Sequence, residues 1–593
     1  MCGIVGFLGT CPALEIIVQA LKGLEYRGYD SSGVALIEHG RLLRHRAVGT
    51  LDQLMKVLPE TTKSTLGIGH TRWATHGAPE ERNAHPQVSH GIAVVHNGII
   101  ENFSELKAQL LKQGYAFESE TDTEVVAHFI HQHYSKSKNV EEVFSKVLKE
   151  LEGSFALAII LEDHPNHIFI ARKGISPLAI GRSAKGISLC SDTLSLVGIA
   201  DELSYIEDGV WGDLSLEGIK IFDENQISQS IEFVPHPLGK DSLGRGEFSH
   251  YMLKEMYEQP DIVLKEGTQT LDIPKELSKA LHITLIGCGS AFYAAWGGKY
   301  YLEQLANRIV TLELASEFHY RNPVVQDGVT IAVSQSGETA DTLKAIQYME
   351  QHGQYTVGMV NVPHSSISRQ VHYEILTKAG PEIGVASTKA FTAQLLCLLK
   401  ISMNLMQDSV RKQKILKGLK QLPLDMQKIF FKVSQLQDIA QHLVHSKGII
   451  FLGRGMSYPV ALEGALKMSE LSYIPGQGFA AGELKHGPLA LVDACTPVVV
   501  LAPMDQFFEK TVSNIYEVCA REGKVFVITD NAGAEQLAGV PVQDIFVYPS
   551  PTTWELHPFL SVLTLQLIAY YTALHKGCSI DQPRNLAKAV TVE

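Results

Sequence analysis

Residues 283–290 read Ile-Thr-Leu-Ile-Gly-Cys-Gly-Ser, and residues 448–457 read Gly-Ile-Ile-Phe-Leu-Gly-Arg-Gly-Met-Ser. Each is a short apolar run that breaks at a glycine and leads into helix-forming sequence, the pattern of a strand buried on both faces that turns into a helix. A second such run follows each one, Thr330–Val333 in the first case and Thr496–Leu501 in the second. Strand, loop and helix recurring in the same order at two places predict a duplicated α/β unit with parallel sheets, its halves parting near residue 430. Neither copy completes a GxGxxG dinucleotide loop, because Phe292 and Tyr458 stand where the third glycine belongs. Nicotinamide binding is therefore disfavoured.

Upstream the pattern changes. Runs such as Cys2-Gly-Ile-Val-Gly-Phe, Gly91-Ile-Ala-Val-Val and Phe155-Ala-Leu-Ala-Ile-Ile alternate with helical stretches at 102–113 and 123–133, which predicts a mixed α+β domain. From Pro235 to Ser249 the text turns to Pro, Gly and polar residues without periodicity and reads as a linker. The expected boundaries are 1–235 for the first domain, 236–249 for the linker, 250–430 and 431–580 for the two α/β halves, and 581–593 for a C-terminal tail. A length of 593 residues agrees with several domains at roughly one per 150 residues.

With 45% hydrophobic and 19% charged residues every domain can build a core, and disorder is excluded as the general state. A formal charge of -13, with no run of five like charges, argues against nucleic-acid and anionic-membrane surfaces. The N-terminus has neither the basic start nor the apolar stretch of a secretory signal, so a cytoplasmic location is expected. The most apolar stretch, Phe559–Leu574, contains Gln566 and falls short of the roughly 20 residues of a membrane span, so it reads as a buried helix. Eight dispersed cysteines with no CxxC pair predict free thiols, no structural zinc and no disulfide framework. No metal or cofactor is expected.

Removal of Met1 would place a thiol and a free α-amine on Cys2. An amine with a pKa near 7.7–8.0 can take the proton of a thiol near 8.5, so no histidine partner is required. The plainer alternative is that Cys2 is only a small residue after the initiator. Asn97-Gly98 follows the apolar run Ile92–Val95 and offers an amide and a flexible N–H, an oxyanion hole; it is equally the signature of a tight hairpin turn. Arg72, with Thr75 and His76 after it, supplies a guanidinium, a hydroxyl and an imidazole, and Asp122 a carboxylate, for an amino-acid ligand or for surface ion pairs. Ser334-Gln-Ser-Gly-Glu-Thr suits a phosphate monoester at a helix start or is a helix cap. Lys467 and Glu470, three apart on one helix face, form either a catalytic pair or a surface salt bridge.

Taken together, Cys2-Gly-Ile-Val-Gly, Tyr26-Arg-Gly-Tyr-Asp-Ser-Ser-Gly, His70-Thr-Arg-Trp-Ala-Thr-His-Gly, His85-Pro, His96-Asn-Gly-Ile-Ile-Glu-Asn and Ser119-Glu-Thr-Asp-Thr-Glu resemble the glutaminase domain of N-terminal-nucleophile amidotransferases. The resemblance implies an αββα sandwich with Cys2 as nucleophile, Asn97 and Gly98 holding the oxyanion, and Arg72, Trp73, Thr75, His76 and Asp122 around glutamine, Trp73 on a closing loop. The second half, through His250-Tyr-Met-Leu-Lys-Glu-Met-Tyr-Glu-Gln-Pro, Ser334–Thr339, Val385-Ala-Ser-Thr-Lys, Glu463-Gly-Ala-Leu-Lys, Ala481-Gly-Glu-Leu-Lys-His-Gly-Pro and the block from Asp581 to Glu593, resembles the paired sugar isomerase (SIS) modules of the glutamine:fructose-6-phosphate aminotransferase family. That resemblance spans the chain. It implies that glutamine and fructose-6-phosphate are the substrates, that Ser290, Ser334, Gln335, Ser336, Thr339, Val385 and Ser387 bind the sugar phosphate, and that Glu470 moves the proton between C1 and C2. It further implies that His486 assists ring opening from a neighbouring subunit of a homodimer, while Lys467 and Lys588 handle the carbonyl. One departure is Ala291, where the family pattern has a hydroxyl residue. Two other readings, an amidotransferase feeding phosphoribosyl pyrophosphate and a sugar-phosphate sensor without catalysis, lack their own signatures: no acidic pyrophosphate strand end and no DNA-binding helix pair are evident.

Overall fold

The computed structural model describes residues 2–74, 76–236, 244–325 and 327–590. They form two compact units, one of residues 1–244 with 338–340 and 589–593, the other of 245–337 with 341–588. Half of the expected linker, residues 237–243, lies outside the described residues.

The first unit is built on two antiparallel sheets. One has eight strands in the order Val234–Pro235, Glu202–Tyr205, Ala179–Ser183, Gly186–Cys190, Gly3–Gly9, Leu66–Arg72, Ser31–Glu38, Arg41–Val48. The other has seven, in the order Ser228–Gln229, Gly218–Asp223, Val210–Ser215, Ile168–Lys173, Gly153–Leu161, Ile92–Ile100, Gln87–Ser89. Side chains alternate across a strand, and here both sides of the alternation are apolar. In Gly3–Gly9, Ile4 and Leu8 enter the core between the sheets, while Val5 and Phe7 face a core shared with helix Ala13–Lys22. In Gly153–Leu161, Ala156, Ala158 and Ile160 lie between the sheets, and Phe155, Leu157 and Ile159 lie against helices Phe103–Lys112, Asp122–Ser137 and Val140–Glu150. Two-faced burial of this kind requires helices outside both sheets, and the αββα sandwich follows.

The second unit contains two five-stranded parallel sheets. The first runs Ile309–Leu314, His282–Gly287, Val329–Ser334, Tyr355–Val360, Tyr373–Leu376, and the second Gly476–Ala480, Ile449–Gly453, Val498–Leu501, Val525–Asp530, Asp544–Tyr548. In both, the second strand in chain order sits at an edge beside the first, so the duplication read from the sequence is a duplication of topology. The halves do not keep wholly separate cores. Tyr301 and Leu395 from the first, Met468 and Leu501 from the second, and Ile415 and Leu419 of helix Ser409–Phe430 belong to one apolar cluster.

Helix His557–His575 runs through that cluster with its central residues buried on every side. Its one amide, Gln566, closes a buried chain of hydrogen bonds. Thr392 Oγ1 donates to Gln259 Oε1 at 2.7 Å, Gln259 Nε2 to Gln566 Oε1 at 2.7 Å, and Gln566 Nε2 to the Thr388 carbonyl at 3.3 Å. Among the described residues no helix is long and apolar enough to cross a membrane. The C-terminal tail is tied down through Val590: Asp581 accepts from the N–H groups of Tyr251 and Met252 at 2.9 Å each, and the Val590 carbonyl from the Ala340 N–H at 2.9 Å.

Because the Gln259 amide has no water to turn to, replacing its acceptor with a hydrocarbon leaves a buried donor unpaired. Gln566→Leu is expected to destabilise the second unit by about 1–3 kcal/mol despite the gain in apolar surface. A lowered melting temperature checks this; an unchanged or raised one would show that the hydrogen-bond chain contributes nothing.

Candidate active site

In the first unit the ends of two strands meet at Cys2. Strand Leu66–Arg72 pairs with Gly3–Gly9 and delivers Trp73, whose N–H donates to Cys2 Sγ at 3.3 Å while its carbonyl accepts from the thiol at 3.4 Å. From the facing sheet, Asn97 Nδ2 donates to the Cys2 carbonyl at 3.0 Å. Burial raises the Cys2 thiol pKa above its ordinary value against the positive N-terminus, the Trp73 N–H and Arg72, with Asp122 adding to the rise. A thiol in that position needs a base to become a nucleophile.

Asn97-Gly98 is neither a hairpin turn nor a strand end. Strand Ile92–Ile100 stays in register with Gly153–Leu161 to the pair Ile100↔Gly153, and Gly98 lies opposite Phe155. Gly98 takes φ +114°, and a Cβ there would sit 2.0 Å from the Ser154 carbonyl oxygen, so only glycine fits. The Arg72 guanidinium is buried and donates to the carbonyls of His76, Gly77 at 3.0 Å and Ala78 at 3.4 Å, so it anchors the loop that follows its own strand. Trp73 stands edge-on to Tyr29 at 5.7 Å, and His76 edge-on to Phe103 at 5.2 Å. Asp122 opens helix Asp122–Ser137, accepts from the Ile100 N–H at 3.0 Å and lies 3.8 Å from His96 Nδ1. Thr75 lies outside the described residues.

In the second unit, charged side chains gather around three buried carboxyls, Glu463, Glu382 and Glu255. Glu463, Lys467 and Glu470 share one face of helix Ser457–Ser472. Lys467 Nζ lies 3.5 Å from Glu463 and makes its closest contact with Glu470, so the helical salt bridge considered from the spacing does form, but with a buried lysine. Burial works against the Lys467 charge, yet Glu463 and Glu470 raise its pKa, and Glu382 adds to the rise. Burial pushes Glu463 up to about 7, with Glu470 adding to the rise and Lys467 and Ser290 opposing it. Lys588 pairs with Glu382 and donates to the Gly384 carbonyl at 2.7 Å. Burial would raise the Glu382 carboxyl, but the Lys588 ammonium and donated hydrogen bonds hold it below the usual range. Glu255, also buried, accepts from the Gly384 N–H at 3.0 Å and is pushed up to about 7 by burial and by Glu382.

The residues expected around the sugar phosphate do not all fall in one loop. Ser334 ends strand Val329–Ser334 and its Oγ accepts from the Gly337 N–H at 3.0 Å, bending the half-buried Gln335 and Ser336 into a turn where Gly337 has φ +67°. Thr339, in the 338–340 stretch counted with the first unit, precedes helix Ala340–Gln351. Ser290 instead donates to Glu463 at 3.1 Å, Ser387 to Glu382 at 3.0 Å, and the Val385 N–H to the Asp581 carbonyl at 3.0 Å. His486, itself exposed, ends the turn Ala481–His486, whose Ala481 and Leu484 are buried. Glu382 and Glu255 escaped the sequence reading: Glu382 is a single glutamate in an unpatterned segment, and Glu255 lies in the block from His250 to Pro260 with nothing in its spacing to set it apart. Glu463 had one, in its spacing of four and seven residues from Lys467 and Glu470. Among the described residues no group of three or more His, Cys, Asp or Glu is arranged to hold a metal ion.

Glu463 leads to a pH test. Its carboxyl rises from an ordinary 4.5 to about 7 on folding, so the folded chain keeps a proton that the unfolded chain releases, and this group costs stability as pH climbs through that interval. The melting temperature of Glu463→Gln minus that of the parent should therefore increase between pH 5 and pH 8. A difference that stays flat would mean that Glu463 is ionised throughout.

The family model described as glutamine amidotransferase domain matches residues 70–197, and the SIS domain model matches residues 276–400 and again 442–576. The glutamine–fructose-6-phosphate aminotransferase (isomerizing) of Bartonella quintana (strain Toulouse) is 44% identical over 612 residues, covering 100% of both chains. The enzyme of the same name from Bradyrhizobium diazoefficiens is 44% identical over 611 residues, again covering 100% of each. Among solved structures, the C-terminal domain of glucosamine-fructose-6-phosphate aminotransferase from Francisella tularensis is 38% identical with a TM-score of 0.55, covering 57% of this chain and 100% of that one. With a thiol at residue 2 set against an amide donor, two parallel sheets of one topology, and relatives matched from end to end, the chain belongs to the glutamine–fructose-6-phosphate aminotransferase (isomerizing) family.

Proposed function

We propose that the chain hydrolyses glutamine at Cys2 and delivers the ammonia to fructose-6-phosphate, forming glucosamine-6-phosphate and glutamate. The observation that carries the reading is the joint presence, in one chain, of the Cys2–Asn97 arrangement and the Lys467–Glu470 and Lys588–Glu382 pairs.

With Met1 removed, the Cys2 amine takes the thiol proton and the sulfur attacks the glutamine amide. Asn97 Nδ2 and the Gly98 N–H hold the resulting oxyanion, and the tetrahedral intermediate collapses to a thioester as ammonia leaves; water then releases glutamate. Arg72, already surrounded by loop carbonyls, takes the substrate carboxylate and Asp122 its ammonium, Thr75 and His76 also bind the glutamine, and Trp73 lies on the loop that closes over it.

In the second unit Ser334, Gln335 and Ser336 receive the phosphate monoester, and Thr339 joins them. Ser290, Val385 and Ser387 complete the sugar-phosphate site, Ser290 and Ser387 from beside the carboxylates of Glu463 and Glu382. His486, from a second copy of the chain in a homodimer, assists ring opening. Lys588 and Lys467 act at the C2 carbonyl, where ammonia condenses with loss of water. Glu470 then moves a proton from C1 to C2, a general base step that typically contributes 10²- to 10⁴-fold. Domain limits of 1–235, 250–430 and 431–580 and a cytoplasmic setting complete the proposal.

Two experiments test it. Cys2→Ala should abolish glutamate release while the second unit still interconverts fructose-6-phosphate and glucose-6-phosphate, and mass spectrometry of the active chain should show Cys2 first. Full activity with Met1 retained would remove the α-amine mechanism. Lys588→Ala should cut glucosamine-6-phosphate formation by about 100-fold or more while leaving glutamine hydrolysis measured alone. Synthesis within about fivefold of the parent rate would exclude Lys588 from the chemistry.

A further inference from the structure

Behind Asn97 lies a buried group that the mechanism above does not use. His70 is fully buried on strand Leu66–Arg72, and its Nε2 faces two oxygens, the His96 carbonyl at 3.0 Å and Asn97 Oδ1 at 3.1 Å. A main-chain carbonyl can only accept, so Nε2 carries the proton. Burial pushes the His70 pKa down to about 3, which leaves the ring neutral with that one N–H. Its ring is held against that of His85, centroid to centroid 4.3 Å, and His85 in turn stacks over His96 at 6.4 Å. The donor cannot swing away.

The consequence falls on Asn97. A side-chain amide can present either its oxygen or its NH2 in nearly the same shape. Turned by 180°, Asn97 would set its NH2 against the buried His70 N–H and its oxygen against the Cys2 carbonyl, two repulsive contacts. The orientation seen here, with Oδ1 on His70 and Nδ2 on Cys2, satisfies both. Nδ2 has two protons; the Cys2 carbonyl takes one, and the other is the donor that an oxyanion at the Cys2 thiol requires. An Asn97 turned the other way would offer that oxyanion a lone pair.

We propose that His70 is a positioning residue for glutamine hydrolysis, its Nε2–H selecting the amide orientation in which Asn97 donates to the oxyanion. This rests on the glutaminase reading of Cys2 and Asn97 and adds a residue that touches neither substrate nor thiol.

The test uses the full-length chain and five variants. His70→Phe keeps a flat ring but removes the donor; His70→Asn keeps an amide too short to reach the Nε2 position; His70→Gln reaches it. His70→Phe and His70→Asn should each lower kcat for glutamine hydrolysis by about 10- to 100-fold, less than or equal to the loss of an oxyanion donor itself. KM for glutamine should stay within about twofold, and His70→Gln should recover most of the rate. In an Asn97→Ala background, His70→Phe should bring no further loss, because the group it positions is gone. Alkylation of Cys2 by iodoacetamide, followed on the Cys2 peptide by mass spectrometry, forms no oxyanion and should proceed at the parent rate in all His70 variants. The proposal is overturned if His70→Phe and His70→Asn turn over within about threefold of the parent, if the losses from His70 and Asn97 multiply, or if alkylation slows in parallel with hydrolysis. If Asn97→Ala itself hydrolyses glutamine at the parent rate, the oxyanion reading fails and this proposal falls with it, an outcome distinct from a loss at Asn97 that His70 does not share.

Discussion

A charge or a polar atom removed from water must meet a partner inside the protein, and both candidate sites are organised by that constraint. In the second unit it produces a cluster. Lys467 and Glu463 lie one helical turn apart with no solvent contact, and the helix bearing them is buried in the core shared by the two sheets. Lys588 arrives from the tail to meet Glu382, which also accepts the N–H groups of Thr388 and Ala390. Two carboxyls, Glu463 and Glu255, respond by moving up to about 7. A carboxyl near neutrality can hold or release a proton at physiological pH.

In the first unit the same constraint keeps groups neutral. His70, His85 and His96 all have pKa values lowered first by burial, so the region behind Cys2 carries hydrogen bonds and little charge. Neutral donors with one available proton have direction, and direction is what an oxyanion site needs before substrate arrives. Arg72 shows the complementary arrangement: its charge is dispersed over the loop carbonyls that it holds in place. The αββα layering makes this possible, because it brings strands Leu66–Arg72 and Ile92–Ile100, from different sheets, to face each other across an apolar core.

The period-two alternation in strands such as Gly3–Gly9, the two strand–glycine–helix runs and the motif around Cys2 were legible in the chain because they are local. Neighbours in sequence determine which face a side chain takes and where a backbone can turn. From them followed the mixed first domain, the duplicated parallel sheets, the buried helix around Gln566 and the motifs that placed the chain in its family. What the sequence could not determine is which residues far apart in the chain meet. Asn97-Gly98 reads as a turn until pairing with Gly153–Leu161 carries the strand through it. Ser290 belongs with Glu463 and Ser387 with Glu382, contacts that depend on how helices pack over sheet ends. Glu382 and Glu255 acquire their importance only when folding strips away water, since a carboxylate's partner and its pKa are properties of its surroundings and not of the residue itself.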